Sequence, residues 1–170
     1  MKYVFCLCLL VIVSRLHAQE NNNPTSDFII GGMVKTPFTF SLKNVLDFST
    51  VAIDSVIIYN HLHERKRAIK NIKGILLKDI LDKVVFDTPG PKVLSEFYFV
   101  CIASDNYKVV FSWNELFNTE VGKRVIIITG ENGKNGMELD DRIALLSPAD
   151  DATGRRFVKG LKKIIVERVK

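Results

Sequence analysis

The fold of this 170-residue chain is indicated most clearly by residues 97–111, which have the sequence FYFVCIASDNYKVVF. Two runs rich in β-branched and aromatic residues, 97–103 and 108–111, flank the polar residues 104–107. Asp and Asn tolerate left-handed backbone geometry, so this stretch predicts two strands joined by a tight turn. Ser112 and Glu115 follow with the spacing of a capping box, which predicts a short helix directly after the hairpin.

Further short apolar runs on both sides of the hairpin predict a domain rich in strands. We expect strands at 28–30, 38–40, 51–59, 69–72, 125–128, 143–146 and 161–169. The run 51–59 is apolar and nearly continuous, which predicts a strand covered on both faces near its end. The best helical pattern lies at 76–84, and Ser41 can cap a second short helix. Many short strands with few short helices indicate an α+β fold with mixed and antiparallel β-sheets.

The composition excludes several classes of protein. Hydrophobic residues make up 47% of the chain and charged residues 25%, which is too apolar for a disordered protein. The formal net charge of +5 is mild and forms no dense basic stripe, so nothing favours nucleic-acid binding. Three cysteines are too few for a small scaffold held by disulfides. A single globular domain fits the length.

Residues 1–18 have the pattern of a signal peptide. A positively charged start precedes an apolar core of ten residues at 4–13, and Ala18 offers a small residue for cleavage. This run is short for a membrane-spanning helix, so an uncleaved anchor is the less favoured alternative. Residues 19–26 are polar and predict a flexible leader, followed by one domain at 27–170. We expect an exported protein, periplasmic or extracellular, with no stable membrane span once the signal is removed.

No catalytic or metal-binding motif is complete in the predicted domain. His61 and His63 would point to the same side of a strand end, but zinc or iron needs three or four ligands. The domain holds no other histidine. Cys101 lies within an apolar strand, where a thiol is inert rather than activated. We therefore favour a solvated loop for the histidines and a packing role for Cys101.

The cluster that best suggests a binding site is GRRFVKG at 154–160. Arg155, Arg156 and Lys159 lie within five residues and are bracketed by glycines. Arginine offers forked donors suited to phosphate, and glycine lets backbone N–H groups approach an anion. These three cations are the candidate binding residues for a small phosphorylated ligand. The alternative is a solvated edge whose arginines pair with the acidic residues 150–151.

Four segments together resemble the molybdopterin-binding domain of the sulfite oxidase family. In chain order they are Thr39–Leu42 (TFSL), Ile72–Leu81 (IKGILLKDIL), Ala103–Tyr107 (ASDNY) and Leu146–Ile164 (LSPADDATGRRFVKGLKKI). They resemble the family's strand-into-helix entry, its Gly-x-x-Leu-x-x-Leu-Leu helix, its Ala-Ser-Asp-Gly-Tyr hairpin and its C-terminal Arg–aromatic–x–Lys segment. The similarity spans roughly Phe28 to the C-terminus. It implies the same fold, and it implies that the three cations correspond to positions that could hold the pterin phosphate.

The resemblance also implies where a metal ligand should lie. The family binds molybdenum through a cysteine thiolate just after the strand that precedes the Gly-x-x-Leu helix. Here that strand is followed by residues 60–63 (NHLH), and no cysteine occurs between Cys8 and Cys101. A soft thiolate is what that metal centre uses. Molybdopterin therefore stays a possible cofactor, but the cysteine that would bind its metal is absent.

We therefore expect a non-catalytic module that binds a small ligand or another exported protein. Two alternatives stay open. The first is retained binding of a pterin phosphate through Arg155, Arg156 and Lys159. The second is a molybdopterin-dependent oxidoreductase with altered metal ligation through His61 or His63. The missing thiolate separates the second alternative from the other hypotheses, and the basic cluster separates the first alternative from a module that binds elsewhere.

Overall fold

The computed structural model describes residues 23–169, so the predicted signal peptide and residues 19–22 of the predicted leader lie outside the described residues. The end of the leader contacts the domain. Thr25 forms an isolated β-bridge with Arg142, and its Oγ1 donates a hydrogen bond to the Leu161 carbonyl oxygen at 2.8 Å. Arg142 also donates to the Ser26 hydroxyl at 2.8 Å. The packing of the domain therefore begins just before the predicted boundary at residue 27.

The described residues form eleven strands in two sheets. The first sheet has the order β2-β1-β11-β5-β6 and the second β10-β9-β7-β4-β3, with β8 paired to β7. In chain order the strands are β1 (Asp27–Gly32), β2 (Phe38–Ser41), β3 (Val51–Tyr59), β4 (Arg65–Leu76), β5 (Phe97–Ala103), β6 (Lys108–Ser112), β7 (Ile126–Glu131), β8 (Lys134–Asn135), β9 (Ala144–Leu146), β10 (Val158–Lys159) and β11 (Leu161–Arg168). Strands β1 and β11 are parallel and the other pairs are antiparallel, so the first sheet is mixed and the second antiparallel.

Helices are short throughout the described chain. The two α-helices are α1 (Leu77–Leu81) and α2 (Trp113–Asn118). Short 3-10 helices occur at Leu42–Asp47, Pro91–Glu96, Gly122–Arg124, Gly136–Glu138 and Thr153–Arg156. Mixed and antiparallel sheets joined by such helices confirm the predicted α+β class.

Two apolar clusters hold the sheets together. The larger cluster draws side chains from both sheets and from α1, and its largest members include Phe28, Phe40, Phe97, Phe99 and Phe111. The smaller cluster lies on the opposite face of the second sheet. On β7, Ile127 belongs to the larger cluster, whereas Ile126 and Ile128 belong to the smaller one. Because successive strand residues face opposite sides, β7 is buried on both faces.

Residues 153–156 connect the two ends of the second sheet, since they precede β10 and contact β3. The Thr153 hydroxyl donates a hydrogen bond to the Ile57 carbonyl at 2.7 Å and accepts one from the Tyr59 N–H at 2.9 Å. A Cβ atom on Gly154 would lie 2.7 Å from the Tyr59 carbonyl oxygen, so only glycine fits this close approach. The segment that leads into β10 is thereby fixed against the end of β3, at the other end of the sheet.

The sequence was misleading about β3 and β4. The predicted strand at 51–59 is not covered on both faces: Val56 is buried, but Ile57 is 36% exposed. The reason is that one face of β3 is open to solvent, where Ala52, Asp54 and Ile57 are exposed. Strand β4 runs over 65–76, well beyond the predicted 69–72, because its exposed basic residues 65–67 continue the pairing with β3 without showing an apolar pattern.

The helical predictions were correct in type but wrong in extent. Helix α1 covers five residues of the predicted 76–84, since Lys83 and Val84 donate to carbonyls three residues earlier and tighten the chain. Ser41 does cap a helix, but it is a 3-10 helix whose Leu46 is 96% exposed. The hairpin at 97–111 is confirmed: Asn106 has a φ of 71°, in the left-handed region that asparagine tolerates.

Candidate functional site

The candidate site lies where the β5–β6 turn meets the segment 153–159. The turn is fixed by the Asp105 carboxylate, which accepts a hydrogen bond from the Tyr107 N–H at 2.8 Å. The Tyr107 hydroxyl then donates to the carbonyl of Arg155 at 2.5 Å. Thr153 and Gly154 hold the other side of this segment against β3. Two elements far apart in the chain therefore position the basic cluster.

Two adjoining clefts of about 700 and 440 Å³ open at this place. Both are lined by Ile58, Tyr107 and Gly154. The larger of the two is also lined by Ala103, Asp105, Asn106, Phe157 and Lys159, and the smaller by Tyr59, Asn60, His61, Lys66 and Arg155. Basic side chains from two parts of the sequence, 61–66 and 155–159, thus converge here, and we call this surface the basic cleft. Tyr107 and Lys66 were not singled out as site residues from the sequence, because their approach depends on long-range packing.

Arg155 and Lys159 present their charges at the basic cleft. Arg155 is exposed, and among the described residues its guanidinium has no hydrogen bond or ion pair. The Lys159 ammonium is 3.7 Å from a carboxylate oxygen of Asp141 and 5.9 Å from the ring centre of Phe157. The guanidinium of Arg67 lies 5.6 Å from the same ring. Phe157 is therefore flanked by two cations at the edge of the cleft.

Arg156 is placed differently from its neighbour. Its Nε and Nη2 contact the two carboxylate oxygens of Asp150 at 2.6 and 2.5 Å, and its Nη1 contacts Glu115 at 2.5 Å. Its guanidinium also lies 4.3 Å from the ring centre of Phe111. Burial alone would lower the pKa of Arg156, but the hydrogen bonds that its guanidinium donates to Asp150 and then to Glu115 outweigh burial and raise the pKa. The arginine is thus paired with Asp150, as the alternative interpretation of the sequence expected, and an anionic ligand would have to compete with two carboxylates.

The place where the resemblance expects a cysteine is a closed hairpin turn between β3 and β4. The Asn60 side-chain oxygen accepts hydrogen bonds from the N–H groups of Leu62 and Glu64, both at 3.0 Å. The Asn60 amide donates to the Glu64 carboxylate at 2.8 Å. Lys66, and then Asn60, lower the pKa of Glu64 by hydrogen bonding to its carboxylate. His61 lines the basic cleft from this turn, whereas His63 is not among the residues that line it.

Cys101 cannot replace the missing ligand. It lies in the middle of β5 with no exposed surface, and burial raises the pKa of its thiol to about 12. At neutral pH the thiolate is therefore a negligible fraction, and packing is its role. Within residues 23–169, no group of three or more His, Cys, Asp or Glu side chains could hold a metal ion. The histidine pair accordingly has no third ligand in the part of the chain that the structure describes.

The described chain has another cleft, which is larger than these two. It has a volume of about 820 Å³ and runs along β3, opposite residues 123–126 and 148–153. This cleft could not be predicted from the sequence, because its walls come from segments that are far apart in the chain. None of the helices in residues 23–169 has both the length and the apolar character that crossing a membrane requires.

Comparison with known proteins identifies a similar fold and nothing beyond the fold. No protein-family model matches the chain, and no curated protein is similar to it in sequence. Among solved structures, the chain is similar to the sulfane dehydrogenase SoxCD from Paracoccus pantotrophus, with a TM-score of 0.59 and 13% sequence identity. The match covers 84% of this chain and 39% of that one, so this protein spans well under half of its neighbour's length. The chain thus has an α+β fold similar to part of that dehydrogenase.

Proposed function

We propose that this protein is an exported, non-catalytic binding module built on a fold like that of the molybdopterin-binding domain of the sulfite oxidase family. Its ligand site is the basic cleft. The observation that carries the proposal is the closed turn at 60–64: where the resemblance expects a metal-binding thiolate, the polar groups of Asn60 and Glu64 are bonded to each other and to the turn itself.

The donor groups do not fit a molybdenum centre. Thiolate sulfur is the ligand that such a centre takes from the protein, and the thiol of Cys101 is buried and protonated. His61 offers a nitrogen ligand at the cleft, but no cluster of three metal-ligand residues occurs in the described chain. We therefore assign no redox step to this protein. The similarity to a dehydrogenase is a similarity of fold, and a shared fold does not establish a shared activity.

The basic cleft favours a small anionic ligand, and a phosphorylated one in particular. Arg155 and Lys159 can each donate several hydrogen bonds to phosphate oxygens, and His61 and Lys66 line the same surface. A single exposed charge pair contributes little in water, about 1 kcal/mol at 4 Å. Convergence of several cations is therefore what would give useful affinity. A pterin monophosphate is the first ligand to test, and another exported protein with an acidic surface is the second.

The test is thermal unfolding of the mature protein with and without pterin monophosphate. A ligand present at a hundredfold its dissociation constant stabilises the folded state by about 2.7 kcal/mol. For a protein of this size that raises the unfolding temperature by about 5–10 °C. The double variant Arg155→Ala/Lys159→Ala should lose this shift, whereas Lys162→Ala, which removes an exposed cation outside the cleft, should keep it. Equal shifts of the unfolding temperature in the double variant and in Lys162→Ala would show that the basic cleft is not the ligand site.

Elemental analysis separates the module from an enzyme. Protein purified from its own host should contain no stoichiometric molybdenum, and full occupancy by that metal would contradict the non-catalytic proposal. If metal is found, His61→Ala tests the alternative ligation, because that side chain lines the cleft.

Export is proposed from the sequence of residues 1–18. The mass of the mature protein should correspond to a chain that begins at Gln19. Recovery of the intact chain from the cytoplasm would contradict it.

A further inference from the structure

The cleft of about 820 Å³ runs along β3, a strand with a free edge, and we call it the edge groove. Strand β3 is the end strand of the second sheet, paired on one side with β4. The groove, about 820 Å³, is lined along this strand by Val51, Ile53 and Ser55 among others. Its lining also includes Leu76 and Ile126 of the neighbouring strands, which gives it an apolar floor.

Only one end of this edge is covered. The Thr153 hydroxyl bonds to the backbone of Ile57 and Tyr59, as a short substitute for a neighbouring strand. Residues 51–55 have no strand beside their second edge in the part of the chain that the structure describes. An edge strand leaves the N–H and C=O groups of alternate residues unpaired, which makes it a template for another strand. The open length suits a strand of about five residues.

The two ends of the edge groove carry opposite charges. Lys123 and Arg124 line the end near Val51. Val51 lies opposite Gly74 of β4, and the Leu77 N–H just beyond the end of β4 donates a hydrogen bond to the Val125 carbonyl. Residues 123–124 are therefore close to this end of β3. Asp150 and Asp151 line the other end, beside the segment that bonds to Ile57 and Tyr59. Asp150 is held by Arg156, and Lys123 pairs with Glu120. Arg124 and Asp151 are the exposed charges that distinguish the two ends.

We propose that a second copy of this chain occupies the edge groove, with its β3 antiparallel to the first. A two-fold axis through the middle of residues 51–55 makes the interface self-complementary. It places the Val51 end of one copy beside the Ile57 end of the other. Arg124 of each copy then faces Asp151 of the other, so the charge pattern is satisfied twice. A parallel arrangement would oppose like charges at both ends. This pairing is independent of the proposed ligand in the basic cleft.

The shortness of the open edge implies a weak, concentration-dependent dimer. About five residues of each strand take part, and the buried surface is correspondingly small. Salt should weaken the association, because both charge pairs lie at the surface where the Debye length is about 8 Å at physiological ionic strength.

The experiment is sedimentation equilibrium of the mature protein from about 10 μM to about 1 mM, the weak end of the affinity range. The average mass should rise toward twice the monomer mass. Arg124→Asp and Asp151→Arg should each weaken the dimer about tenfold or more, since each opposes like charges twice. The double variant Arg124→Asp/Asp151→Arg should restore it. Lys92→Asp, which makes the same charge change outside the groove, should leave the dimer intact.

Three results would overturn the proposal. The first is a mass that stays monomeric over the whole range, including the case in which an added extended peptide binds the groove instead. The second is a dimer that tolerates both single variants. The third is a double variant as weak as the single ones, because a self-complementary pair must recover when both charges are exchanged. Circular dichroism of each variant verifies that the fold is kept, since these side chains are exposed.

Discussion

Removal of the Asp150 carboxylate should show how strongly the Arg156 network holds the segment 153–159. Asp150 accepts two hydrogen bonds from the Arg156 guanidinium and a third from the Ser147 hydroxyl at 2.7 Å. The side chain of Asp150 is 13% exposed and that of Arg156 21%, so the pair is largely shielded from water. Asp150→Ala leaves the arginine with Glu115 alone.

The expected cost lies between two limits. Breaking a fully buried ion pair costs about 3–5 kcal/mol, and a hydrogen bond to a charged group contributes about 1.5–3 kcal/mol. Because the remaining Glu115 and some solvent can compensate, we expect Asp150→Ala to lower the free energy of unfolding by about 2–4 kcal/mol. Asp151→Ala is the matched control, since this neighbouring carboxylate is exposed and should change stability by less than about 0.5 kcal/mol.

The measurement is urea unfolding of the dilute proteins, followed by tryptophan fluorescence. Trp113 begins helix α2, which contains Glu115, so the probe lies close to the network. A loss for Asp150→Ala no larger than that for Asp151→Ala would refute the reasoning. It would mean that the shielded ion pair contributes no more than an exposed charge.

Three further changes have defined outcomes. Gly154→Ala should destabilise the fold by about 1–3 kcal/mol in thermal unfolding, because its Cβ would lie 2.7 Å from the Tyr59 carbonyl oxygen; Gly90→Ala, with open space around it, should not. Ser112→Ala should cost about 1 kcal/mol, because its hydroxyl caps α2 through the Glu115 N–H at 3.0 Å, and an unchanged urea midpoint would contradict this. The folded state raises the pKa of Cys101 from 9.0 to about 12, so the thiol ionises first in the unfolded chain. The protonated thiol therefore contributes fully to the free energy of unfolding below pH 9, and this contribution falls by about 1.4 kcal/mol per pH unit above pH 9. Cys101→Ala should remove this slope, and identical profiles of stability against pH for the two proteins would disprove the raised pKa.

The parts of the fold that could be predicted from the sequence are those fixed by local chemistry. The turn at Asn132-Gly133 joins β7 to β8 with both residues at positive φ, as an Asn-Gly pair favours. The Ser112 cap is present for the same reason: its partner is three residues away. Only this half of the predicted capping box is formed, because the Glu115 carboxylate contacts Arg156, 41 residues along the chain, instead of the Ser112 N–H.

The candidate site could be predicted in part only, because its geometry comes from contacts between distant segments. The basic cluster was evident as a run of charge, but the turn that holds it through Tyr107 and the edge of β3 that it covers were not. The edge groove had no local signal either. Its floor is formed by residues of three strands, and its charged ends come from two loops. Apolar periodicity identifies which residues are buried but not which strand ends a sheet.

The two adjacent arginines show why charge alone could not assign the site. Thr153 and Gly154 fix the backbone against β3, and the next two side chains then enter opposite environments. Arg155 lines the basic cleft, while Arg156 is paired with carboxylates beside the ring of Phe111. Loss of Arg156 should therefore reduce stability, whereas loss of Arg155 should reduce ligand binding at unchanged stability. A triple replacement of the cluster would mix these effects, so a binding defect can be assigned to the cleft only when Arg156 is left in place.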